Sequence, residues 1–240
     1  MSAISDRFPS PPDLARVIDT TLLRPEAVLK EYREFSVDAA DNGYAAAFVP
    51  FYHLPYVAEQ LKGSRVRLGA ALGFPFGYAL TDVKKYEAVL ALQYGARELD
   101  MVLNVTALKS GKPEDARADI AEVVKIARRY DAGREEGKTT VKVILETCYL
   151  TKPEMRAAAE LVVEAEADFV KTSTGYGPYG ARVEDVALLR QVVGPGFGVK
   201  ASGGIRTLAQ LLKMVEAGAS RIGTSAASAI MSEYLHGFSW

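Results

Sequence analysis

Short apolar stretches rich in β-branched residues alternate along this chain with longer segments in which apolar residues return every three to four positions. The short stretches predict strands over Val17–Leu22, Tyr44–Val49, Val66–Leu72, Glu98–Asn104, Val141–Glu146, Asp168–Lys171, Gly198–Ala201 and Arg221–Gly223. The longer ones predict helices over Glu26–Asp41, Leu54–Leu61, Asp82–Tyr94, Pro113–Tyr130, Lys152–Ala165, Val183–Val193, Leu208–Glu216 and Ala226–Leu235. Thr151-Lys152-Pro153-Glu154 has the spacing of a capping box, Thr81 and Thr207 stand where helices begin, and Gly43, Gly63, Gly95 and Gly218 stand where helices end. Eight βα units in 240 residues predict an α/β fold, a (β/α)8 TIM barrel. Residues 1–240 read as a single domain, with a short N-terminal lead-in helix at Pro9–Ala15 over the barrel's bottom. A doubly wound open sheet would show fewer strands and a Gly-rich dinucleotide turn after the first, and Asp19-Thr20-Thr21-Leu22-Leu23 contains no such turn.

Strand alternation then assigns faces. Glu98, Asp100, Val102 and Asn104 share one side of the fourth strand, and Leu99, Met101 and Leu103 share the other. The outer side must pack against helices, so the polar set faces the barrel interior. The same rule groups Lys142, Ile144 and Glu146 on the fifth strand, Phe169 with Lys171 on the sixth, and Gly198 with Lys200 on the seventh. Charges of both signs therefore converge inside.

Lys171 and Lys200 each close an apolar run. Burying an ammonium is costly unless it is paired or gives up its proton. Two on neighbouring strands disfavour each other's charge, a route to a neutral amine near pH 7 that attacks carbonyls and forms Schiff bases. The bland reading has a strand-end lysine extending to water or balancing a carboxylate in a structural ion network. Glu98, deeper in the barrel, fits such pairing with Lys142 or Arg97, whereas Asp100, nearer the strand's C-terminal end, is placed to exchange protons with a ligand.

Composition narrows the partners. Lys plus Arg total 29 against 30 Asp plus Glu, a net charge of -1, so no broad field attracts nucleic acid or an anionic membrane, and any anion is bound locally. One cysteine, Cys148, and two histidines, His53 and His236, leave too few soft ligands for a structural zinc site and no intramolecular disulfide. No metal and no cofactor is expected. The segment Met1 to Pro12 lacks the features of a signal peptide and no apolar run reaches membrane-spanning length, so a cytoplasmic location is expected.

Gly203-Gly204 after the seventh strand and Gly223-Thr224-Ser225 after the eighth occupy the place where such barrels bind phosphate through backbone N–H groups. Thr174-Gly175 could complete that cradle, while Gly175-Tyr176-Gly177-Pro178 also reads as a plain flexible loop. Arg206 suits either the anion or a helix cap. Asp19 could cap a turn or bind a substrate hydroxyl. His53 reads as a packing residue, and Cys148 lacks a neighbouring base that would make it a nucleophile.

Taken in order, Val17-Ile18-Asp19-Thr20-Thr21-Leu22-Leu23-Arg24-Pro25, Gly73-Phe74-Pro75, Glu98-Leu99-Asp100-Met101-Val102-Leu103-Asn104, Lys142-Val143-Ile144-Leu145-Glu146-Thr147, Phe169-Val170-Lys171-Thr172-Ser173-Thr174-Gly175, Val199-Lys200-Ala201-Ser202-Gly203-Gly204-Ile205-Arg206 and Arg221-Ile222-Gly223-Thr224-Ser225 resemble the signature segments of the deoxyribose-phosphate aldolase family. The resemblance implies a metal-independent class I aldolase, a lyase that reversibly cleaves 2-deoxy-D-ribose 5-phosphate to acetaldehyde and D-glyceraldehyde 3-phosphate. It implies that Lys171 forms the Schiff base, that Lys200 lowers its pKa and that Lys200 relays protons with Asp100. It further implies that Asp19 binds a sugar hydroxyl and that Thr174, Gly175, Gly203, Gly204, Gly223 and Ser225 hold the phosphorylated end. Members often pair, so a homo-oligomer, dimer or tetramer, is expected.

The chain departs from the family pattern at Thr20, where many members have histidine, at Ala46-Ala47-Phe48-Val49-Pro50, at Tyr176, where some place lysine, and in the tail Gly237-Phe238-Ser239-Trp240. Two other readings remain open: a Schiff-base barrel lyase for a different phosphorylated sugar or keto acid, and a non-catalytic barrel that senses a sugar phosphate.

Overall fold

The structure, a computed structural model, describes residues 7–133 and 137–237. The expectations for the first six residues and for Phe238-Ser239-Trp240 lie outside the described residues. Among the described residues α1 (Pro11–Ala15) leads into an alternation: β1 (Ile18–Thr21), α2 (Leu29–Asn42), β2 (Ala46–Phe48), α3 (Leu54–Gln60), β3 (Arg67–Leu72), α4 (Thr81–Gln93) and β4 (Glu98–Val102). The second half runs α5 (Val105–Lys109), α6 (Pro113–Asp131), β5 (Thr140–Ile144), α7 (Lys152–Glu164), β6 (Phe169–Lys171), α8 (Val183–Val193), β7 (Gly198–Ser202), α9 (Leu208–Glu216), β8 (Arg221–Thr224) and α10 (Ala227–His236). The strands pair in parallel in chain order and β8 closes on β1, giving the expected barrel.

Local chemistry explains the boundaries. Thr151 and Thr207 cap α7 and α9, each in a reciprocal capping box, with Glu154 and Gln210. Thr81 does not cap α4; it is the helix's first residue and Leu80 holds the cap position. The sequence pattern did not separate α5, which exists because the Asn104 side chain accepts the Ala107 N–H at 3.0 Å and so holds the first turn after β4. Gly43 takes a left-handed conformation, φ 65°, and ends α2 by donating its N–H to the Ala39 carbonyl.

Outward-facing Leu99, Met101, Val141, Val143, Val170, Val199, Ala201 and Ile222 are fully buried beneath the helices. Each large one contributes roughly 1.5–3 kcal/mol by leaving water. Inside the barrel, two phenylalanines are matched by glycines on the adjoining strand. Phe48 on β2 is the register partner of Gly69 on β3, and a Cβ on Gly69 would come within 2.6 Å of its ring. Phe169 on β6 faces Gly198 on β7 the same way, at 2.3 Å. The missing side chains are what let the two rings fill the centre.

Candidate active site

Lys171 and Lys200 are register partners on β6 and β7. Both amines donate to the same oxygen of Asp100, each at 2.7 Å, so the two nitrogens lie no farther apart than twice that distance. The adjacency expected from the two apolar runs is thus realised inside the closed sheet. Below them the inward parity of other strands supplies an ion cluster. Lys142 bonds Glu98 and Asp100 Oδ1, the latter at 3.0 Å, and stands 3.7 Å from Asp19. Lys200 also donates to Asp19 Oδ2 at 2.5 Å, Arg221 to Asp19 Oδ1 at 2.7 Å, and Arg67 to Glu98 at 3.1 Å.

Arg67 and Arg221 were not anticipated, although both begin a strand at an inward-facing position and the alternation rule points to them. Arg97, considered as a partner for Glu98, falls on the other side, with its guanidinium over the Tyr130 ring at 5.1 Å. Glu98 is instead shared by Lys142, Arg67 and Arg221.

In this cluster five cations, Arg67, Lys142, Lys171, Lys200 and Arg221, share three carboxylates, Asp19, Glu98 and Asp100. The surplus positive charge makes one cation the least costly to discharge. Burial pushes Lys171 down to about 8; the attraction of Asp100 opposes this, and the nearby charges of Lys200 and Lys142 reinforce it. For Lys142 burial acts in the same sense but is outweighed by Asp100, Glu98 and Asp19, so its pKa rises. Burial alone would raise Asp100 and Asp19. The lysines around Asp100 hold it well below the usual carboxylate range, and Lys200, Arg221 and Lys142 hold Asp19 at about 2.

Above the cluster opens a cavity of about 600 Å³ at the C-terminal ends of the strands. Lys171 forms part of its wall, with Phe48 and Ala71 beside it and Thr21, Ser202, Gly223 and Thr224 around it. Asp19, Asp100 and Lys200 lie beneath the wall and are at most 1% exposed, so of the paired lysines Lys171 is the one that reaches the cavity. The far end is lined by Gly175, Gly203, Gly204 and Ser225, with Arg206, Arg24 and Tyr176 at the rim. Gly175 and Gly203 have φ of 90° and 88°, values that turn the backbone into a shallow cup at little steric cost only for glycine. A larger and more open hollow of about 830 Å³ lies between α3 and α4 at the barrel's other end and holds none of Lys171, Lys200 or Asp100.

Thr174 lies in the cavity wall, but its N–H and its hydroxyl both donate to Glu146. Its donors therefore brace the loop from beneath, and the cup is left to the glycines and Ser225. Glu146 holds this position in a left-handed conformation, φ 53°, a strained geometry for a residue with a side chain. It carries no sequence signal beyond its place at a strand end. Burial, helped by Glu146, pushes the Cys148 thiol up to about 11, which suits no nucleophile. His53 stacks on Tyr32 at 3.7 Å, in keeping with a packing role.

A model of the DeoC/LacD family aldolases matches residues 19–237. The chain belongs to that aldolase family. Among curated relatives of this aldolase, the deoxyribose-phosphate aldolase of Thermococcus kodakarensis is 50% identical over 89% of this chain and 93% of its own length. That of Thermoanaerobacter sp. (strain X514) is 46% identical over 92% of this chain and 97% of its own. Among solved structures, the tetrameric deoxyribose phosphate aldolase from Aeropyrum pernix superposes with a TM-score of 0.86 at 36% identity, covering 96% of this aldolase and 94% of that chain.

Proposed function

We propose that this aldolase is a deoxyribose-phosphate aldolase, a class I lyase that reversibly cleaves 2-deoxy-D-ribose 5-phosphate to acetaldehyde and D-glyceraldehyde 3-phosphate. The observation that carries the reading is a buried amine, Lys171, lowered to about 8, opening into a cavity whose far end is a glycine cup suited to one phosphate. In the cleavage direction the neutral Lys171 amine adds to the aldehyde carbon of the open-chain sugar, and loss of water gives an iminium. The hydroxyl proton on the third carbon leaves, the bond between the second and third carbons breaks, and its electron pair flows into the iminium to form an enamine. D-glyceraldehyde 3-phosphate departs. Protonation of the enamine carbon and hydrolysis then release acetaldehyde and restore the amine.

Asp100 and Lys200, hydrogen-bonded to each other and to the Lys171 site, are the groups that move these protons. Gly175, Gly203, Gly204 and Ser225 receive the phosphate, with Thr174 supporting the loop, whereas Gly223, where a Cβ would come within 3.0 Å of Lys200 Cε, borders the amine end instead. Asp19, expected to bind a sugar hydroxyl, lies beneath the cavity wall with both oxygens already accepting from Lys200 and Arg221, so it positions Lys200 instead. The protonated imine is the electron sink, so this chemistry requires neither metal nor cofactor.

Incubation with acetaldehyde and borohydride tests the reading. A reduced adduct on Lys171, absent from Lys171→Leu, is expected; an adduct on another residue would overturn the assignment. Faster cleavage of deoxyribose 5-phosphate than of fructose 1,6-bisphosphate or keto-deoxy sugar acids is expected too.

A homo-oligomer, dimer or tetramer, accompanies this reading. Exposed Phe76, Tyr78, Leu80, Val83 and Tyr86, gathered on α4 and the loop before it, form an apolar patch of the kind that marks an interface. Light scattering on the purified chain decides the state. Among the described residues no helix is long and apolar enough to cross a membrane, and a cytoplasmic location is part of the same proposal.

A further inference from the structure

Three amines of the barrel lie around one aromatic ring. The Nζ of Lys200 stands 4.0 Å from the centre of the Phe48 ring, that of Lys142 5.0 Å and that of Lys171 5.8 Å. Phe48 is only 2% exposed, forms part of the cavity wall beside Lys171, and is seated by Gly69, whose missing side chain leaves its ring room. We infer that Phe48 is a positioning residue for the chemistry of Lys171: its ring keeps water from that amine and holds positive charge at Lys200.

Two effects act in the same direction. The ring fills the space beside Lys171 that water would otherwise occupy, and a dry amine disfavours its charged form. The face of the ring also attracts cations, and the attraction weakens with distance, so Lys200 at 4.0 Å gains more than Lys171 at 5.8 Å. A charged Lys200 then opposes a second charge on its neighbour. The groups facing Lys171 are Asp100 from β4, Lys142 from β5 and Lys200 from β7, with Asp19, Glu98, Arg67 and Arg221 in the layer behind them. Strands β2 and β3 contribute Phe48 and Ala71, neither of which titrates.

The inference rests on Lys171 being the Schiff-base residue, and the test separates the two. The probe is acetaldehyde, with the adduct on Lys171 trapped by cyanoborohydride and quantified by mass spectrometry from about pH 6 to 10, a range that brackets a lysine lowered by burial. Phe48→Ala is expected to move the midpoint of trapping upward by about one pH unit, about tenfold less adduct at pH 7, with the loss recovered at the alkaline end. Phe48→Leu, which keeps most of the apolar volume, is expected to give a smaller upward shift and about threefold less adduct at pH 7. A folded variant whose midpoint equals that of the parent, or whose deficit persists at every pH, overturns the inference. If Phe48→Ala does not fold, Phe48→Leu decides alone. Parent protein that forms no adduct on Lys171 would instead overturn the aldolase mechanism.

Discussion

Lys142 and Lys171 occupy neighbouring strands of the same barrel, both buried, yet their proton affinities move in opposite directions. The burial cost is similar for the two, up to 3–5 pKa units for a fully buried amine, or about 4–7 kcal/mol. The number of carboxylates differs. Among the described residues Lys142 has Glu98, Asp100 and Asp19 within 4 Å, whereas Lys171 has Asp100 alone and shares its oxygen with Lys200. One opposite charge at about 4 Å offers roughly 4 kcal/mol at an effective dielectric of 20, so three outweigh burial and one shared contact does not. The amine proposed as the Schiff-base former is therefore one from which counter-charge is withheld. The structural amine one layer down shows what the same residue becomes when counter-charge is supplied.

Removing the reactive member gives the largest effect. Lys171→Leu is expected to abolish aldol cleavage, a loss on the order of 10⁴-fold or more in kcat, because among the described residues no other lysine lines the cavity. The same variant should be more stable at pH 7 by roughly 1–3 kcal/mol, since it removes a charge that the fold disfavours. The sign follows from the lowered pKa. Below about 8 the parent carries the full cost of a protonated Lys171, and the cost fades as pH rises through about 8 toward the unfolded value, so the variant's advantage shrinks over that window. Denaturant titrations at several pH values check this; a constant difference across them would contradict it.

Asp100 links the two lysines, and Asp100→Asn sharpens the contrast. Its charge raises Lys171, so without it the amine loses its proton more readily and the midpoint for acetaldehyde trapping falls. Turnover should nevertheless fall by about 10²–10⁴-fold in kcat, the usual scale of a lost general acid–base group. Trapping that survives while turnover collapses is the expected signature. Equal loss of both would place Asp100 in positioning alone.

Much of this contrast is written in a simple alternation. Period two places Glu98 and Asp100 on the inner face of one strand and Lys142, Lys171 and Lys200 on those of three others, and the structure shows all five there. Which of them touch is set by the stagger between strands and by crossings of the barrel, neither of which any one strand encodes. Asp19 on β1 meets Lys200 across the β8 register, and Arg67 reaches Glu98 from β3. The pairing of Phe48 with Gly69 escapes for the same reason: a glycine within a strand looks like a weakness until the ring it admits is seen. Glu146 and α5 depend on backbone turns with no periodic signal, φ 53° at Glu146 and a side-chain cap from Asn104.

Lys142 is the converse test. Lys142→Met removes the cation that three carboxylates share and should destabilise the fold by roughly 3–5 kcal/mol, the scale of breaking a buried ion pair. The folded fraction should still trap acetaldehyde on Lys171, because the remaining partners of Asp100 are Lys171 and Lys200. A variant that unfolds at lower denaturant yet keeps its adduct confirms that one lysine serves architecture and the other chemistry.

The smallest effect belongs to the far end of the cavity. Ser225 lines the glycine cup, where backbone N–H groups supply most of the donors, so on the proposed reading Ser225→Ala removes one hydroxyl donor to the charged phosphate. A loss of roughly 1.5 kcal/mol, the low end for a hydrogen bond to a charged group, corresponds to about a tenfold rise in KM for deoxyribose 5-phosphate, with kcat nearly unchanged because the contact is made equally in the ground and transition states. Acetaldehyde trapping, which involves no phosphate, should be the same in variant and parent. A fall in kcat with KM unaltered would mean that the hydroxyl acts at the reacting carbon, and would move it from the anion end of the cavity to the amine end.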